Sequence, residues 1–76
     1  MSSMKAKNNV FSQILADLRK ENNLSQVGLA TALAVDPSTI AKYETGDRLP
    51  DIFMLSKIAD FFSVSTDYLL GRVNYC

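Results

Sequence analysis

The sequence is 76 residues long, 47% hydrophobic and 21% charged, which is too apolar for a disordered chain and too charged for a membrane protein. Its eight Lys and Arg residues balance eight Asp and Glu residues, so no overall basic charge points to a nucleic acid. It has no His and a single Cys, Cys76, which excludes an internal disulfide and any nucleophile that depends on His. We therefore expect no metal, no cofactor and no catalytic activity, although paired carboxylates could still form a hydrolytic site.

Apolar residues at helical spacing predict the first two helices. The first runs from Val10 to about Asn22, with a stripe of apolar residues at i, i+3, i+4 and i+7. Asn23 then suits the left-handed position that often ends a helix. Ser25 is a typical N-cap, and it predicts a second helix from Gln26 to about Leu33.

Start and stop signals predict three further helices. Asp36 can cap the first turn of a third helix that runs from Pro37 to Thr45. The fourth helix follows an N-cap at Asp51 and closes at Phe62, and the fifth runs from Thr66 to Leu70. Five short helices without strand-like alternation predict an all-α fold, a compact five-helix bundle.

The length of the chain predicts one folded module, without a separate domain for a small-molecule effector. Since it has neither a long apolar run nor the apolar core of a signal peptide, we expect no membrane association and a cytoplasmic location. We divide it into a flexible N-terminal arm at 1–9, a domain at 10–71 and a C-terminal tail at 72–76. Lys5 and Lys7 in the arm suit either a contact with a polyanion or an ordinary disordered tail.

The predicted second and third helices are separated by three residues, which is the spacing of a helix-turn-helix. Four motifs stand at and around them: LRKENNLSQ at 18–26, STIAKYETG at 38–46, the pair Arg48 and Pro50, and VSTDYLLGR at 64–72. Through these motifs the chain resembles, from Phe11 to Arg72, the phage repressor and Cro-like (Xre) helix-turn-helix family.

This resemblance implies the lambda-repressor-like fold, with helices 2 and 3 as the helix-turn-helix, and it makes 10–71 a DNA-binding domain. Ala34 departs from the family pattern, because the family usually has glycine at this position of the turn. If the backbone is left-handed there, alanine costs roughly 1 kcal/mol. A turn of another shape is the alternative.

The third helix is the candidate for reading bases. When Ile40 is set at the core, a rotation of about 100° per residue places Ser38, Lys42 and Thr45 on the solvent side. The resemblance implies that this helix enters the major groove, although such side chains also occur on any solvated helix face. No Arg, Gln or Asn stands in the first turn, so specificity would depend on Lys42, methyl contacts and DNA shape. The base-reading candidates are Pro37, Ser38, Thr39 and Lys42.

Contacts with the DNA backbone are expected around the start of helix 2 and the end of helix 3. The resemblance implies four phosphate-contact candidates: Gln26, Tyr43, Thr45 and Arg48. Tyr43 is expected to lie half in the core. Asp36 and Asp47 bring negative charge to the same side, so we expect a modest affinity that falls with salt.

Glu44 lies about 40° from Ile40 on the third helix, so it faces inward. A carboxylate in this position needs a cationic partner. Arg19 stands where the resemblance implies a buried arginine, and we expect a structural ion pair between the two. The alternative is that both are ordinary surface charges.

A homodimer is expected, because one reading helix covers only a few base pairs and a two-fold operator calls for a two-fold protein. Apolar residues concentrate in helices 4 and 5 and the tail. The interface candidates are Phe53, Met54, Phe61, Leu69, Leu70, Val73 and Tyr75. The alternative is that most of them fill the core beneath helix 1.

The expected partner is double-stranded DNA with a two-fold operator. The expected function is sequence-specific transcriptional regulation, most simply repression by operator occupancy, in the nucleoid of a prokaryote or in a phage-infected cell. The alternative is a protein–protein interaction module on the same fold, of the antitoxin or anti-repressor kind.

Overall fold

The computed structural model describes residues 10–74, which form five helices joined by short turns. Within this range there is no strand, and the predicted all-α five-helix fold is confirmed. The predicted arm at 1–9 and Tyr75 lie outside the described residues. The helices are α1 (Val10–Glu21), α2 (Gln26–Leu33), α3 (Pro37–Thr45), α4 (Ile52–Phe62) and α5 (Thr66–Leu69).

Three of the helices begin at a side chain that caps a free backbone amide. Such caps satisfy donors that have no partner within the helix, and each contributes about 1 kcal/mol. In α2, Gly28 N donates to Ser25 Oγ at 2.9 Å. In α4, Met54 N donates to Asp51 Oδ1 at 2.8 Å, and in α5, Tyr68 N donates to Ser65 Oγ at 2.9 Å.

The start of α3 differs from the prediction. Asp36 has the extended backbone of an N-cap, but its side chain makes no cap hydrogen bond, so the predicted capping role is wrong. Its backbone carbonyl accepts from Thr39 N at 3.0 Å. Pro37 accounts for the start of the helix, because its fixed φ suits the first helical position, where no N–H is needed.

One apolar core joins all five helices. Phe11 of α1 packs edge to face on Tyr43 of α3, with ring centroids 6.1 Å apart and planes at 75°. Ala30 is buried in α2, where its small side chain lets α2 and α3 approach closely. The largest fully buried apolar side chains are Leu15, Leu29, Leu33, Ile40, Ile58 and Leu69. The core therefore fixes the orientation of α3 from both α1 and α2.

The turn between α2 and α3 contains a left-handed alanine. Ala34 has φ 60° and ψ 45°, and its N–H donates toward the carbonyls of Ala30 and Thr31. The next residue closes the turn, with Val35 N donating to Ala30 O at 2.9 Å. The turn thus has a left-handed C-cap built on alanine, which carries the steric cost that glycine would avoid.

Lys57 of α4 holds the same turn from outside. Its Nζ donates to the carbonyl oxygen of Leu33, the last residue of α2, at 2.6 Å. Carbonyls in the last turn of a helix have no partner within the helix, and a cation there also faces the negative end of the helix dipole. Lys57 therefore links α4 to the turn that positions α3.

Ala34→Gly is expected to stabilise the protein by about 0.5–1 kcal/mol, because glycine adopts positive φ without the clash of a Cβ. The matched control is Ala32→Gly, an exposed position within α2 at which glycine should cost about 0.5–1 kcal/mol. Urea unfolding measures both. Equal losses in the two variants would contradict the left-handed turn.

Candidate nucleic-acid interface

An ion pair between α1 and α3 lies behind the candidate surface. Arg19 Nε donates to Glu44 Oε2 at 2.6 Å, and Arg19 Nη2 donates to Glu44 Oε1 at 3.0 Å. The remaining arm of the guanidinium reaches Leu24 O at 2.8 Å. The side chains are only 13% and 9% exposed, so the structure brings the two predicted partners together in a two-pronged, largely desolvated contact.

Gln26 adds a third side chain to this pair. It is the first residue of α2, and its Nε2 donates to Glu44 Oε1 at 3.2 Å. The sequence singled out Gln26 for a phosphate contact without indicating this inward bond. The structure leaves Gln26 half-buried, joined to Glu44 and placed at the N-terminus of α2.

The hydrogen bond with Glu44 raises the pKa of Arg19, and burial of the guanidinium opposes that rise. Arginine is protonated throughout the working range of proteins, so the guanidinium of Arg19 is charged at neutral pH. Among the described residues, no buried polar side-chain atom is left without a hydrogen bond. A desolvated ion pair is tolerated in a small core when its geometry is good and its polar atoms are hydrogen-bonded, and the pair of Arg19 and Glu44 meets both conditions.

The outward side of α3 carries the base-reading candidates. Pro37, Ser38 and Lys42 are exposed, and Thr39 is half-buried on the flank. Ile40, on the opposite side, is fully buried. The helix therefore presents two hydroxyls, one ammonium and a proline ring on a convex surface, groups that can donate to or touch base edges and phosphates.

The loop after α3 holds the Thr45 hydroxyl in place. Thr45 Oγ1 lies 2.9 Å from Asp47 Oδ2 and 3.1 Å from Lys42 O, both of which accept from it. The single hydroxyl proton is thus shared within the loop, and a phosphate would have to displace one of these acceptors. Arg48, which follows, is exposed.

Tyr43 belongs to the core more than the sequence indicated. Only 3% of it is exposed, and its ring packs on Phe11. Burial raises the pKa of its hydroxyl, with Arg48 lowering that pKa and Asp51 raising it. The phenol is therefore neutral at pH 7. The ring lies in the core, and the phosphate contact expected of Tyr43 stays a prediction.

The start of α2 offers backbone donors beside Gln26. The side-chain oxygen of Ser25 accepts a hydrogen bond from the amide of Gly28, and its backbone carbonyl accepts one from the amide of Leu29. The amides of Gln26 and Val27 precede the first hydrogen bond of the helix, where N–H groups point away from the helix body. Such amides, with the positive end of the helix dipole, favour an anion.

The apolar interface candidates in residues 10–74 differ in exposure. Phe53, Phe61 and Leu70 are 83%, 43% and 46% exposed. Met54 and Val73 are half-buried. Leu69 is 0% exposed, so its prediction as an interface residue is wrong: α5 directs it into the core. Four further large apolar residues are exposed and were not predicted from the sequence: Val10, Val27, Leu49 and Ile52.

Other charged groups in residues 10–74 pair locally or face solvent. Arg72 Nε lies 3.5 Å from Asp67 Oδ1 on the surface, a contact of little energetic weight. No three His, Cys, Asp or Glu side chains in this range are grouped as metal ligands. No helix in it has the length and apolarity needed to cross a membrane.

A family model described as helix-turn-helix matches residues 15–69 of the chain. The chain belongs to this helix-turn-helix family. The match includes α2, α3, α4 and α5 completely, and with the relatives below it confirms the resemblance to phage repressors drawn from the sequence.

Several relatives in the helix-turn-helix family are regulators by name. The transcriptional regulator AnsR of Bacillus subtilis is 43% identical over 58 residues, which cover 76% of this chain and 50% of AnsR. The CTXphi phage repressor RstR of Vibrio cholerae is 40% identical over 58 residues, or 76% of this chain and 52% of RstR. The chain thus spans about half the length of these curated relatives.

A solved structure of a transcriptional regulator from Listeria innocua shares the architecture. It aligns with a TM-score of 0.77 and 38% identity, covering 83% of this chain and 59% of the regulator. The similarity therefore extends over nearly all of the described helix-turn-helix unit.

Glu44→Ala is expected to lower the free energy of unfolding by about 3 kcal/mol, because it leaves the guanidinium of Arg19 largely buried without its carboxylate. The matched control is Glu21→Ala, an exposed carboxylate at the end of α1, which should change stability by less than about 0.5 kcal/mol. Urea unfolding of both variants measures the difference. An unchanged midpoint for Glu44→Ala would mean that the pair is solvated.

Proposed function

We propose that this chain binds double-stranded DNA through α3 and regulates transcription, most simply as a repressor that occupies an operator. The observation that carries the proposal is the convex polar side of α3, held next to the free N-terminal amides of α2 in a chain of the helix-turn-helix family. The names of AnsR and RstR support a regulatory role. The proposal assigns the chain no reaction and no cofactor, and it places its action in the cytoplasm.

The dimensions of α3 suit the major groove. A helix with its side chains is about 10–12 Å across, and the groove is about 12 Å wide. The nine residues of α3 give it a length of about 13.5 Å, at about 1.5 Å per residue. With the buried Ile40 side turned away, Ser38 and Lys42 face the base edges. The exposed Arg48 and the amides at the start of α2 then meet phosphates on either side of the groove.

Charge limits the strength of this binding. The chain has a formal net charge of zero, and Lys42 is the one basic residue of α3. Asp36 and Asp47 are exposed at the two ends of the same helix, where they repel phosphate. Affinity is therefore modest and sensitive to salt, and sequence preference comes in part from DNA shape.

Dimerisation would supply the affinity that one reading helix lacks. We propose a two-fold homodimer on a two-fold operator, with α3 of each copy in successive major grooves about 34 Å apart. Phe53 is the strongest interface candidate, because an aromatic side chain that is 83% exposed has a large unfavourable contact with water. Phe61 and Leu70 extend the apolar surface toward the C-terminal end of the domain.

The second candidate function is a protein–protein interaction module. It is favoured by Asp36 and Asp47, which place carboxylates where a DNA-binding surface would have cations, and by the exposed aromatic side chains on α4. The two functions differ in their response to salt, because binding to duplex DNA releases counterions and weakens steeply as salt rises.

Lys42→Ala is expected to weaken binding to the operator more than binding to a random duplex, because Lys42 faces the base edges. Loss of its charge should reduce the salt slope by at most about one unit per monomer, and the melting temperature should stay unchanged. The matched control is Lys20→Ala, an exposed lysine on α1 that should leave binding unchanged. Fluorescence anisotropy at about 50 mM and about 200 mM salt measures affinity and slope.

The same titration decides between the two functions. If the wild-type protein fails to bind any duplex at low salt, the DNA proposal is wrong and the interaction module is favoured. If Lys20→Ala weakens binding as much as Lys42→Ala, α3 is not the docking element.

Phe53→Lys is expected to shift the homodimer toward monomer by at least about tenfold in dissociation constant, because it places a charge within the proposed apolar contact. Val27→Lys is the matched control: Val27 is an exposed apolar residue on α2, outside the proposed contact. Sedimentation at micromolar concentrations measures the monomer–dimer equilibrium. A wild-type protein that stays monomeric both free and on DNA would contradict the dimer.

A further inference from the structure

The carboxylate of Glu44 serves two different elements of the fold. Oε2 accepts from Arg19 Nε, while Oε1 accepts from both Arg19 Nη2 and Gln26 Nε2. The three bonds join α1, α3 and the first residue of α2. Because Arg19 donates to both oxygens, the carboxylate of Glu44 cannot rotate freely. The position of Oε1, which accepts from Gln26, is therefore fixed as well.

Gln26 has a second amide proton beyond the one it gives to Glu44. A primary amide carries two N–H donors and one carbonyl acceptor. Within residues 10–74 the side chain of Gln26 makes one hydrogen bond, to Glu44, so the other N–H is available at the N-terminus of α2. Gln26 is the first residue of α2, so its side chain belongs to the same helix end as the backbone amides of Gln26 and Val27, which favour an anion.

We propose that Glu44 is a positioning residue for the phosphate contact of Gln26. The inference rests on the proposed binding of duplex DNA. Glu44 holds the Gln26 amide in one rotamer before DNA arrives, so the rotamer freedom of a long polar side chain is already lost in the free protein and is not lost again on binding. Arg19 contributes indirectly, because it fixes the orientation of the Glu44 carboxylate.

A purely structural ion pair would behave differently. If Glu44 served only to hold α1 on α3, its loss would lower stability and leave the energetic weight of the Gln26 contact unchanged. If Glu44 positions Gln26, removing the carboxylate should also remove most of the benefit of having glutamine at this position. The dependence of one substitution on the other therefore separates the two roles.

A double-mutant cycle tests this dependence, using Glu44→Leu, Gln26→Ala and the double variant. Leucine is similar in size to glutamate but offers Gln26 no acceptor oxygen. Binding to a random-sequence duplex at low salt is measured by anisotropy, at a temperature where circular dichroism shows every variant folded. In the wild-type background, Gln26→Ala should weaken binding by about fivefold, the worth of one net hydrogen bond. In the Glu44→Leu background it should weaken binding by less than about twofold. The same loss in both backgrounds would overturn the proposal.

If Glu44→Leu does not fold, Arg19→Lys takes its place in the cycle. Lysine keeps the positive charge but offers a single ammonium in place of the planar fork, so it releases the rotation of the Glu44 carboxylate. The Gln26→Ala loss should again shrink in this background. A loss as large as in the wild-type background would overturn the proposal.

Nuclear magnetic resonance of the free protein separates failure of this inference from failure of DNA binding. The side-chain amide of Gln26 should give a resolved signal with restricted motion in the wild-type protein, and it should move to the position of a free glutamine in Glu44→Leu, which has no acceptor at this position. The backbone signals of α2 should stay in place. A mobile Gln26 amide in the wild-type protein would overturn the positioning role, whereas absence of duplex binding with a rigid amide would overturn the proposed function alone.

Discussion

The ion pair between Arg19 and Glu44 fixes how the candidate DNA-binding surface is presented. Glu44 is inward on the same side of α3 as Ile40, so satisfying its carboxylate from α1 fixes the rotation of α3 about its own axis. Ser38 and Lys42 then face solvent, because the opposite side of α3 packs in the core through Ile40 and pairs with Arg19 through Glu44. A charged contact in a small core costs desolvation, and here it determines which side chains of α3 remain outside.

The turn between α2 and α3 fixes the remaining freedom of the reading helix. Ala34 adopts a left-handed backbone at a steric cost, and Lys57 reaches from α4 to the carbonyl of Leu33 just before it. The helix that exposes Phe53 is thus hydrogen-bonded to the turn ahead of α3.

Most of the secondary structure could be predicted from the sequence, because apolar stripes and capping residues are local signals. The bounds of α2 and α3 match the prediction, and α1 and α5 each end one residue earlier. The tertiary contacts of polar side chains were harder to predict from the sequence. The hydrogen bonds from Gln26 to Glu44 and from Lys57 to Leu33 depend on distances between helices that no local pattern encodes. Leu69 was misplaced because a four-residue helix is too short to show a period.

The central claim is that α3 docks on duplex DNA. Its most direct measurement is a titration of isotope-labelled protein with a short duplex at low salt, followed by backbone amide chemical shifts. The account predicts the largest shifts along 38–45, at the first turn of α2 and at Arg48, with α1 nearly unchanged. Shifts confined to α4 and α5, or no shifts at low salt, would contradict it.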